Sequence, residues 1–274
     1  MTVSQIDVGF GHALRTWRTR RRVSQLDLTL RTGTTQRHVS FLESGRSAPG
    51  RAMIVRLAEA LELPIRERND LLLTAGFAPA YPESRLEDPA LEPVRTALER
   101  VLRGHLPYPA VVVDRHGDLV SANAGFSALV EGIDATLLAP PVNVPRLLLH
   151  PNGLAARIVN LDVWAWHVLD RLDSELARNP DDELDALLTE LAAIAPPRPR
   201  NPPADHLGFA VPLRLRAGTA DERELRLITT LTHFGTAIDV TLAELRLEAF
   251  LPADDATAAL LDEMVGRAAR RNSD

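Results

Sequence analysis

The chain has 274 residues, 45% of them hydrophobic, which is long for one domain and enough to bury two cores. It contains no cysteine, so a disulfide framework and a thiolate metal site are both excluded. No apolar run is long enough to cross a bilayer, and the first residues lack a secretory signal. We therefore expect a two-domain cytoplasmic protein.

The charge is divided unevenly along the chain. Residues 1–78 carry 12 arginines and 7 acidic residues, a net charge of +5. Residues 79–274 carry 19 arginines and 30 acidic residues, a net charge of −11. The overall net charge of −6 therefore hides a basic N-terminal module, which a polyanion such as DNA would attract.

The first 78 residues have the pattern of a small all-α domain. Apolar residues recur at helical spacing over residues 10–22, 53–63 and 66–75. Residues 24–45 are typical of two further short helices joined by a tight turn. The pattern predicts five helices in a domain that spans residues 1–78.

Three residues define the two short helices. Ser24 is a good N-cap, Gly33 is placed to end the first helix, and Thr34 is placed to cap the second. We expect the first helix to make apolar contacts through Leu26, Leu28 and Leu30.

The second short helix has an inward and an outward face. Val39 and Leu42, three residues apart, can face a core. The outward residues are Gln36, Arg37, Ser40 and Phe41. An amide suits adenine, a guanidinium suits guanine, and an aromatic edge can touch the thymine methyl. The pattern is that of a helix-turn-helix whose second helix reads DNA bases.

This stretch resembles the phage-repressor-type, lambda-repressor-like domain of Xre-family transcription regulators. The resemblance lies at positions 18, 24–25, 28, 33–36, 39–40, 42–43 and 45–46. It implies an internal ion pair between Arg18 and Glu43. It also implies a set of DNA-binding residues, namely Gln25, Thr35, Gln36, Arg37, Ser40, Phe41, Ser44, Arg46 and Arg51.

Within that set, the resemblance places Gln25 against a phosphate and Gln36, Arg37 and Phe41 against bases. Phe41 departs from the polar residue of the phage repressors. It either replaces a hydrogen bond by apolar contact with a base or belongs to the core as a buried aromatic.

Residues 79–108 separate the two predicted domains. Three prolines within residues 78–89 indicate a linker, and residues 91–103 predict a bridging helix with one apolar stripe. The stripe consists of Leu91, Val94, Leu98, Val101 and Leu102. It packs either on its own C-terminal domain or against a second copy as a dimer seam.

Residues 109–274 predict an α+β domain. Its β-rich runs, which predict a five-stranded antiparallel sheet, are residues 110–114, 119–122, 209–216, 225–234 and 240–250. Helices are predicted at residues 144–149, 161–177, 184–195 and 256–271. The order of strand, DRHGD hairpin, strand and Asn123-capped helix resembles the opening of a PAS-type sensor domain.

Two longer phrases resemble the PAS-like ligand-binding domain of MmyB-like regulators, which are Xre-type repressors. They are NVPRLLLHPNGLAARIVNLDVWAWHVLDRL, from Asn143, and LTHFGTAIDVTLAELRLEAFLPAD, from Leu231. The resemblance implies an apolar, fatty-acid-like small-molecule ligand. We expect an elongated pocket lined by Leu, Val, Phe and Trp side chains.

The candidates for the ligand site are Phe126, Arg146, His150, Trp164, His167 and Phe234. Trp164 and His167 share a helix face and form either a pocket wall or a core contact. Arg146 and His150 either neutralise a ligand carboxylate or belong to a loop cap or surface pair. Phe234 is expected to face the core from a strand.

The chain lacks common signatures of catalysis. Its eight histidines show no HxxxH or HxH spacing, and no GxSxG occurs. The acidic pairs at 181–182 and 254–255 fall at helix starts, where capping explains them. We expect no catalytic residue, no metal and no cofactor.

Together these patterns predict a transcription regulator, a repressor that acts at the nucleoid. It would bind an inverted-repeat operator in double-stranded DNA as a homodimer and respond to an apolar ligand. Two alternatives stay open. One is an enzyme that acts on a small apolar molecule and carries a regulatory DNA-binding domain, and the other is a protein-interaction module.

Overall fold

The computed structural model describes residues 9–200, 210–218, 221–234 and 237–271. The described chain forms two compact units. The first unit contains the residues up to Arg85 together with the later segment 237–243, and the second contains the remainder. The division falls inside the predicted linker, so that residues 79–85 go with the first unit and the bridging helix goes with the second.

Five helices form the described part of the first unit up to residue 74. They are α1 Phe10–Arg20, α2 Gln25–Thr32, α3 Gln36–Glu43, α4 Arg51–Ala60 and α5 Ile65–Thr74. Their inward faces meet in one apolar core, whose buried members include Leu14, Leu28, Val39, Leu42, Ile54 and Leu57. The predicted all-α, five-helix domain is confirmed.

The turn between α2 and α3 is closed by local hydrogen bonds. Gly33 ends α2 in the left-handed region, with φ of 66°. The N-cap of α3 is Thr35 and not the predicted Thr34. The reason is that the Thr34 N–H still bonds to the Thr29 carbonyl at 3.3 Å and so belongs to the end of α2.

The start of α2 follows the sequence prediction, but its apolar contacts do not. Ser24 forms a capping box with Asp27. Leu28 is buried, whereas Leu26 and Leu30 are 54% and 74% exposed. Residues two apart on a helix do not share a face, so Leu26 and Leu30, four residues apart, both point away from the core that Leu28 enters.

The chain after α5 is held in place by two buried polar side chains. The Asn69 Oδ1 accepts from the Ala80 and Tyr81 N–H groups at 2.9 and 3.1 Å, and its Nδ2 donates to the Tyr81 carbonyl at 2.8 Å. Asp239, in the segment 237–243, accepts from the Ser84 N–H at 3.0 Å. Both ends of residues 80–84 are therefore fixed within the first unit.

The second unit is built on one five-stranded sheet. Its strands are β1 Ala110–Val113, β2 Leu119–Ala122, β3 Leu213–Arg216, β4 Glu224–His233 and β5 Arg246–Pro252. Their order is β2-β1-β5-β4-β3, and every neighbouring pair is antiparallel. The predicted α+β domain with a five-stranded antiparallel sheet is confirmed.

Helices cover this sheet and enclose its core. The helices after residue 85 are α6 Glu92–Gly104, α7 Ala124–Leu129, α8 Val144–Leu149, α9 Leu161–Arg178, α10 Asp182–Ile194, α11 Val240–Glu244 and α12 Asp255–Arg271. The core lies between the sheet and α7, α8, α9, α10 and α12. Over the described ranges, no helix has both the length and the apolar character needed to span a membrane.

Two strands start later in the structure than the sequence predicts. The run at 240–250 begins with α11, because the Asp239 carboxylate accepts from the Leu242 N–H at 3.4 Å and its carbonyl accepts from the Ala243 N–H at 3.0 Å. These bonds begin a helical turn, and β5 starts only at Arg246. The strand predicted at 209–216 begins at Leu213, and Phe209 lies outside the described residues.

The bridging helix α6 packs on its own domain through part of the apolar stripe. Leu98 and Leu102 are buried, and the Leu102 carbonyl accepts a hydrogen bond from the side chain of Asn123. Val101, on the same stripe, is 43% exposed. Packing of the stripe on its own C-terminal domain, the first of the two alternatives, therefore accounts for Leu98 and Leu102.

Asn123 joins α6, β1 and α7, and its loss should destabilise the second unit. Its side chain, 5% exposed at the residue level, accepts from Ala110 N and Phe126 N and donates to the Leu102 and Tyr108 carbonyls, all at 2.9 to 3.1 Å. We expect Asn123→Ala to lower the free energy of unfolding by about 3 kcal/mol, because several buried backbone groups lose their partner.

Urea denaturation followed by circular dichroism measures this change. Asn152→Ala is the matched control, since Asn152 is exposed, and should stay within about 0.5 kcal/mol of the wild type. A similar loss in both variants would contradict the assigned role of Asn123.

Candidate DNA-binding surface and ligand site

Helix α3 presents one face to the core of the first unit and the other to solvent. Val39 and Leu42 are 0% and 1% exposed, which fixes the rotation of the helix about its axis. Gln36 and Arg37 are exposed at the N-terminal turn, and Ser40 is half-buried beside them. The side chains that can contact base edges therefore project from the outward face.

Phe41 lies at the surface between two arginines. The ring is half-buried and is not a member of the apolar core. The guanidinium of Arg37 lies over it at 5.1 Å from the ring centroid, and that of Arg46 lies over it at 5.9 Å. Both distances are within the range of cation–π contacts, so the three side chains form one cluster. We call Arg37, Phe41 and Arg46 the Phe41 cluster.

An ion pair joins α3 to α1. Arg18 Nε and Nη2 donate to the two carboxylate oxygens of Glu43 at 2.5 and 3.0 Å. A third Arg18 bond reaches the Val23 carbonyl at 2.9 Å. The bond to Glu43 raises the pKa of the Arg18 guanidinium. The guanidinium and carboxylate therefore bind each other in a bidentate geometry that fixes both side chains.

Several residues that the Xre resemblance assigns to DNA are engaged within the protein. Gln25 Nε2 donates to Glu43 Oε2 at 2.9 Å, and Arg51 donates to the Ala78 and Pro79 carbonyls at 2.7 and 3.4 Å. The Thr35 hydroxyl caps α3, and the Ser44 hydroxyl donates to the Phe41 carbonyl at 3.3 Å. Thr35, Ser44 and Arg51 nevertheless stay exposed, as Gln36 and Arg37 do, so their assignment to DNA stays a prediction.

In the second unit, a cavity of about 50 Å³ lies between α9 and the sheet. It is lined by Leu148, Trp164, His167, Val168, Arg171, Thr229, Leu231, Glu248 and Phe250. A volume of this size corresponds to roughly one or two water molecules, so this cavity by itself is smaller than the elongated pocket expected from the sequence. Its wall combines apolar side chains with the polar side chains of Arg171, Thr229 and Glu248, and His167 and Leu231 keep access to solvent.

Two of the six candidate ligand residues meet at this cavity. The rings of Trp164 and His167 are 5.2 Å apart between centroids, at an angle of 37°. The four that do not line the cavity are Phe126, Arg146, His150 and Phe234. Phe126 is a core residue of α7, and Arg146 pairs with Glu190 at 2.7 Å.

The remaining two candidates have local roles. His150 Nδ1 accepts from the Asn152 N–H at 3.1 Å, which is the loop-cap alternative. Phe234 follows the last residue of β4 and is half-buried.

The polar lining residues that the sequence did not single out are Arg171, Thr229 and Glu248. Arg171 lies four residues after His167 on α9, so helical spacing could have placed it on the same face. Arg171 Nη1 donates to Glu248 Oε1 at 2.9 Å across 77 residues of sequence. No local pattern contains that pairing. Among the described residues, no group of three or more His, Cys, Asp or Glu side chains could hold a metal ion.

The five-helix first unit and the α+β second unit are the architecture of a helix-turn-helix transcription regulator with a separate ligand-binding domain. Family models match both parts. A helix-turn-helix model matches residues 14–68, and the model of the MmyB-like transcription regulator ligand binding domain matches residues 94–264. The second match covers more than half of the chain, which therefore belongs to the MmyB-like transcription regulators.

Other comparisons add little to this assignment. No curated protein matches the chain. A solved structure described as an RNA-binding light-oxygen-voltage receptor is similar to it at 17% sequence identity, with a TM-score of 0.26. The alignment covers 98% of this chain and 64% of the length of that structure. We base no argument on a likeness of this size.

The carboxyl of Glu43 should make the first unit sensitive to acid. Burial would raise the pKa of Glu43, but hydrogen bonds from Arg18 and Gln25 outweigh burial and hold the pKa below its ordinary value. A carboxyl with a lowered folded-state pKa stabilises the fold above its unfolded-state pKa. That stability is lost as the pH falls through the folded-state value.

We therefore expect the melting temperature of the first unit to fall between pH 5 and pH 3, and we expect Glu43→Gln to weaken this dependence. Thermal unfolding followed by circular dichroism across this range measures it. Glu62→Gln, at an exposed residue of the same unit, should keep the wild-type acid dependence. If Glu43→Gln keeps the wild-type dependence of the melting temperature on pH, Glu43 is not the cause of the acid sensitivity.

Proposed function

We propose that this regulator is a repressor that binds an inverted-repeat operator as a homodimer and releases or holds it according to an apolar, fatty-acid-like ligand. The DNA-binding part of this proposal rests on the Phe41 cluster, which lies beside Gln36 on the exposed face of α3. The net charge of +5 on residues 1–78 (12 arginines minus 7 acidic residues) supplies attraction to the phosphates.

Arg37 is the residue proposed to read guanine. It lies in the first turn of α3, the turn that enters the major groove first in this class of domain. Its guanidinium offers two parallel donors, which match the O6 and N7 acceptors of guanine. Stacking on Phe41 restricts the rotamers of Arg37 before DNA arrives, so less side-chain entropy is lost on binding.

Ligand control would act by population shift, with the ligand favouring one relative placement of the two DNA-binding domains of a dimer. Thr229 and Leu231 of the cavity wall lie on β4. The chain leads from β4 into the segment 237–243, where Asp239 bonds to Ser84. A ligand that displaces β4 would therefore act on a segment that helps to hold residues 80–84.

The proposal includes no catalytic step. The two charged residues at the cavity wall, Arg171 and Glu248, bind each other at 2.9 Å, and Glu248 is 4% exposed. A pair used in this way holds the wall together and offers no free acid or base to a ligand.

Replacement of Arg37 should change base preference as well as affinity. Arg37→Ala should cost about 1–3 kcal/mol on the cognate operator and relax preference at one symmetric pair of positions. Arg46→Ala is the matched control. Arg46 is expected to touch phosphate, so its loss should weaken binding to all sequences alike. The slope of log affinity against log salt concentration should fall by about one unit.

Binding of both variants to a randomised operator library at two salt concentrations separates these outcomes. An unchanged base preference in Arg37→Ala would leave specificity to Gln36 and Phe41.

The homodimer proposal predicts the form of the operator. One module of this size contacts few base pairs, so two modules are needed for useful specificity. We expect a footprint with two protected half-sites, inverted and separated by about one helical turn or a multiple of it. Footprinting with the full-length protein tests this, and protection of one asymmetric half-site would count against a dimer.

A further inference from the structure

Two residues that line the cavity each carry a buried polar atom without a hydrogen-bond partner among the described residues. Trp164 is 2% exposed, and its Nε1 has no hydrogen-bond partner among the described residues. The same holds for Oγ1 of Thr229, which lines the cavity from β4. A buried donor left unpaired costs about 1–3 kcal/mol. Trp166, two residues further on, has the usual hydrogen-bonded indole, because its Nε1 donates to the Pro196 carbonyl at 2.9 Å.

The charges at the wall are already balanced. Arg171, the one guanidinium among the described lining residues, binds Glu248. Glu248 is 4% exposed and lies in β5, next to both β1 and β4 in the sheet. An anionic head group at this wall would therefore meet a buried carboxylate and no free cation, and its desolvation would not be compensated.

His167 adds no positive charge at neutral pH. Although part of this side chain reaches solvent, burial of the rest lowers the pKa of the imidazole, and the nearby Arg171 lowers that pKa further. The lowered pKa favours the neutral ring over the imidazolium at pH 7.

We infer that the cavity recognises an uncharged carbonyl group, such as an ester or a primary amide, at the end of an apolar chain. A carbonyl oxygen has two lone pairs, so it can accept from both the Trp164 Nε1–H and the Thr229 hydroxyl. The inference rests on the proposed function, that an apolar ligand binds in the second unit, and specifies its head group. A free fatty acid, ionised at pH 7, is the ligand that this wall disfavours.

The apolar tail of such a ligand has a route to the surface. Leu231 lines the cavity, is 41% exposed and lies two residues after Thr229, so both side chains point to the same side of the sheet. The cavity of about 50 Å³ is large enough for the head group, and the tail must displace side chains toward Leu231.

Calorimetric titration of the full-length protein at pH 7 compares three probes with the same alkyl chain: methyl decanoate, decanamide and decanoate. We expect the ester and the amide to bind about tenfold or more tightly than the acid, because only the ionised acid must lose its hydration beside the buried carboxylate of Glu248.

Matched variants test the two donors. Trp164→Phe and Thr229→Val should each weaken binding of the ester by about five- to tenfold, since each removes one hydrogen bond. Thr229→Val preserves the shape of the side chain, whereas Trp164→Phe also enlarges the cavity. Trp166→Phe and Thr230→Val change the same groups away from the cavity and should leave affinity unchanged. Should Trp164→Phe disturb folding, Thr229→Val tests the head-group contact alone.

The possible failures are distinguishable. Binding of decanoate as tight as that of the ester, or tighter, would contradict the preference for an uncharged head group. Full ester affinity in both Trp164→Phe and Thr229→Val would contradict it as well. Either result would still agree with an apolar ligand. Failure of all three probes to bind would overturn the apolar ligand of the proposed function, and the head-group inference with it.

Discussion

The DNA-binding surface depends on the bidentate ion pair between Arg18 of α1 and Glu43 of α3. The same carboxylate accepts from Gln25 at the start of α2, so one side chain links three helices. Buried ion pairs contribute little net stability, because desolvation offsets most of their attraction. The main effect of this pair is to hold α1 and α3 in one relative position. Together with the buried Val39 and Leu42, it fixes both the position and the rotation of α3.

The outward face that results is dominated by arginine. Phe41 stands where phage repressors have a polar residue, and in this structure its ring is a platform for the guanidinium groups of Arg37 and Arg46. An aromatic platform orders charged side chains without neutralising them. The loss of a polar group at Phe41 is therefore offset by better positioned donors on either side of it.

The second unit combines an apolar cavity with a charge-neutral wall. Trp164, His167 and Arg171 recur along one face of α9, and β4 and β5 complete the wall. Membership of the MmyB-like regulators establishes that this domain binds a ligand. The balance between Arg171 and Glu248, and the two unpaired polar atoms, decide which ligands the wall can stabilise.

The sequence by itself determined the local structure: five helices, five strands, the Ser24 and Gly33 boundaries and the shared face of Trp164 and His167. These features depend on neighbours within a few residues, which caps and periodicity record directly. Only the tertiary structure decided which side chains meet across the fold. Packing brought Arg171 to Glu248 and tied the side chains of Gln25 and Arg51 to other parts of the first unit. It left Phe126, Arg146, His150 and Phe234 away from the cavity. Such contacts join residues far apart in sequence, and their geometry depends on how a helix lies on a sheet, which no local period specifies.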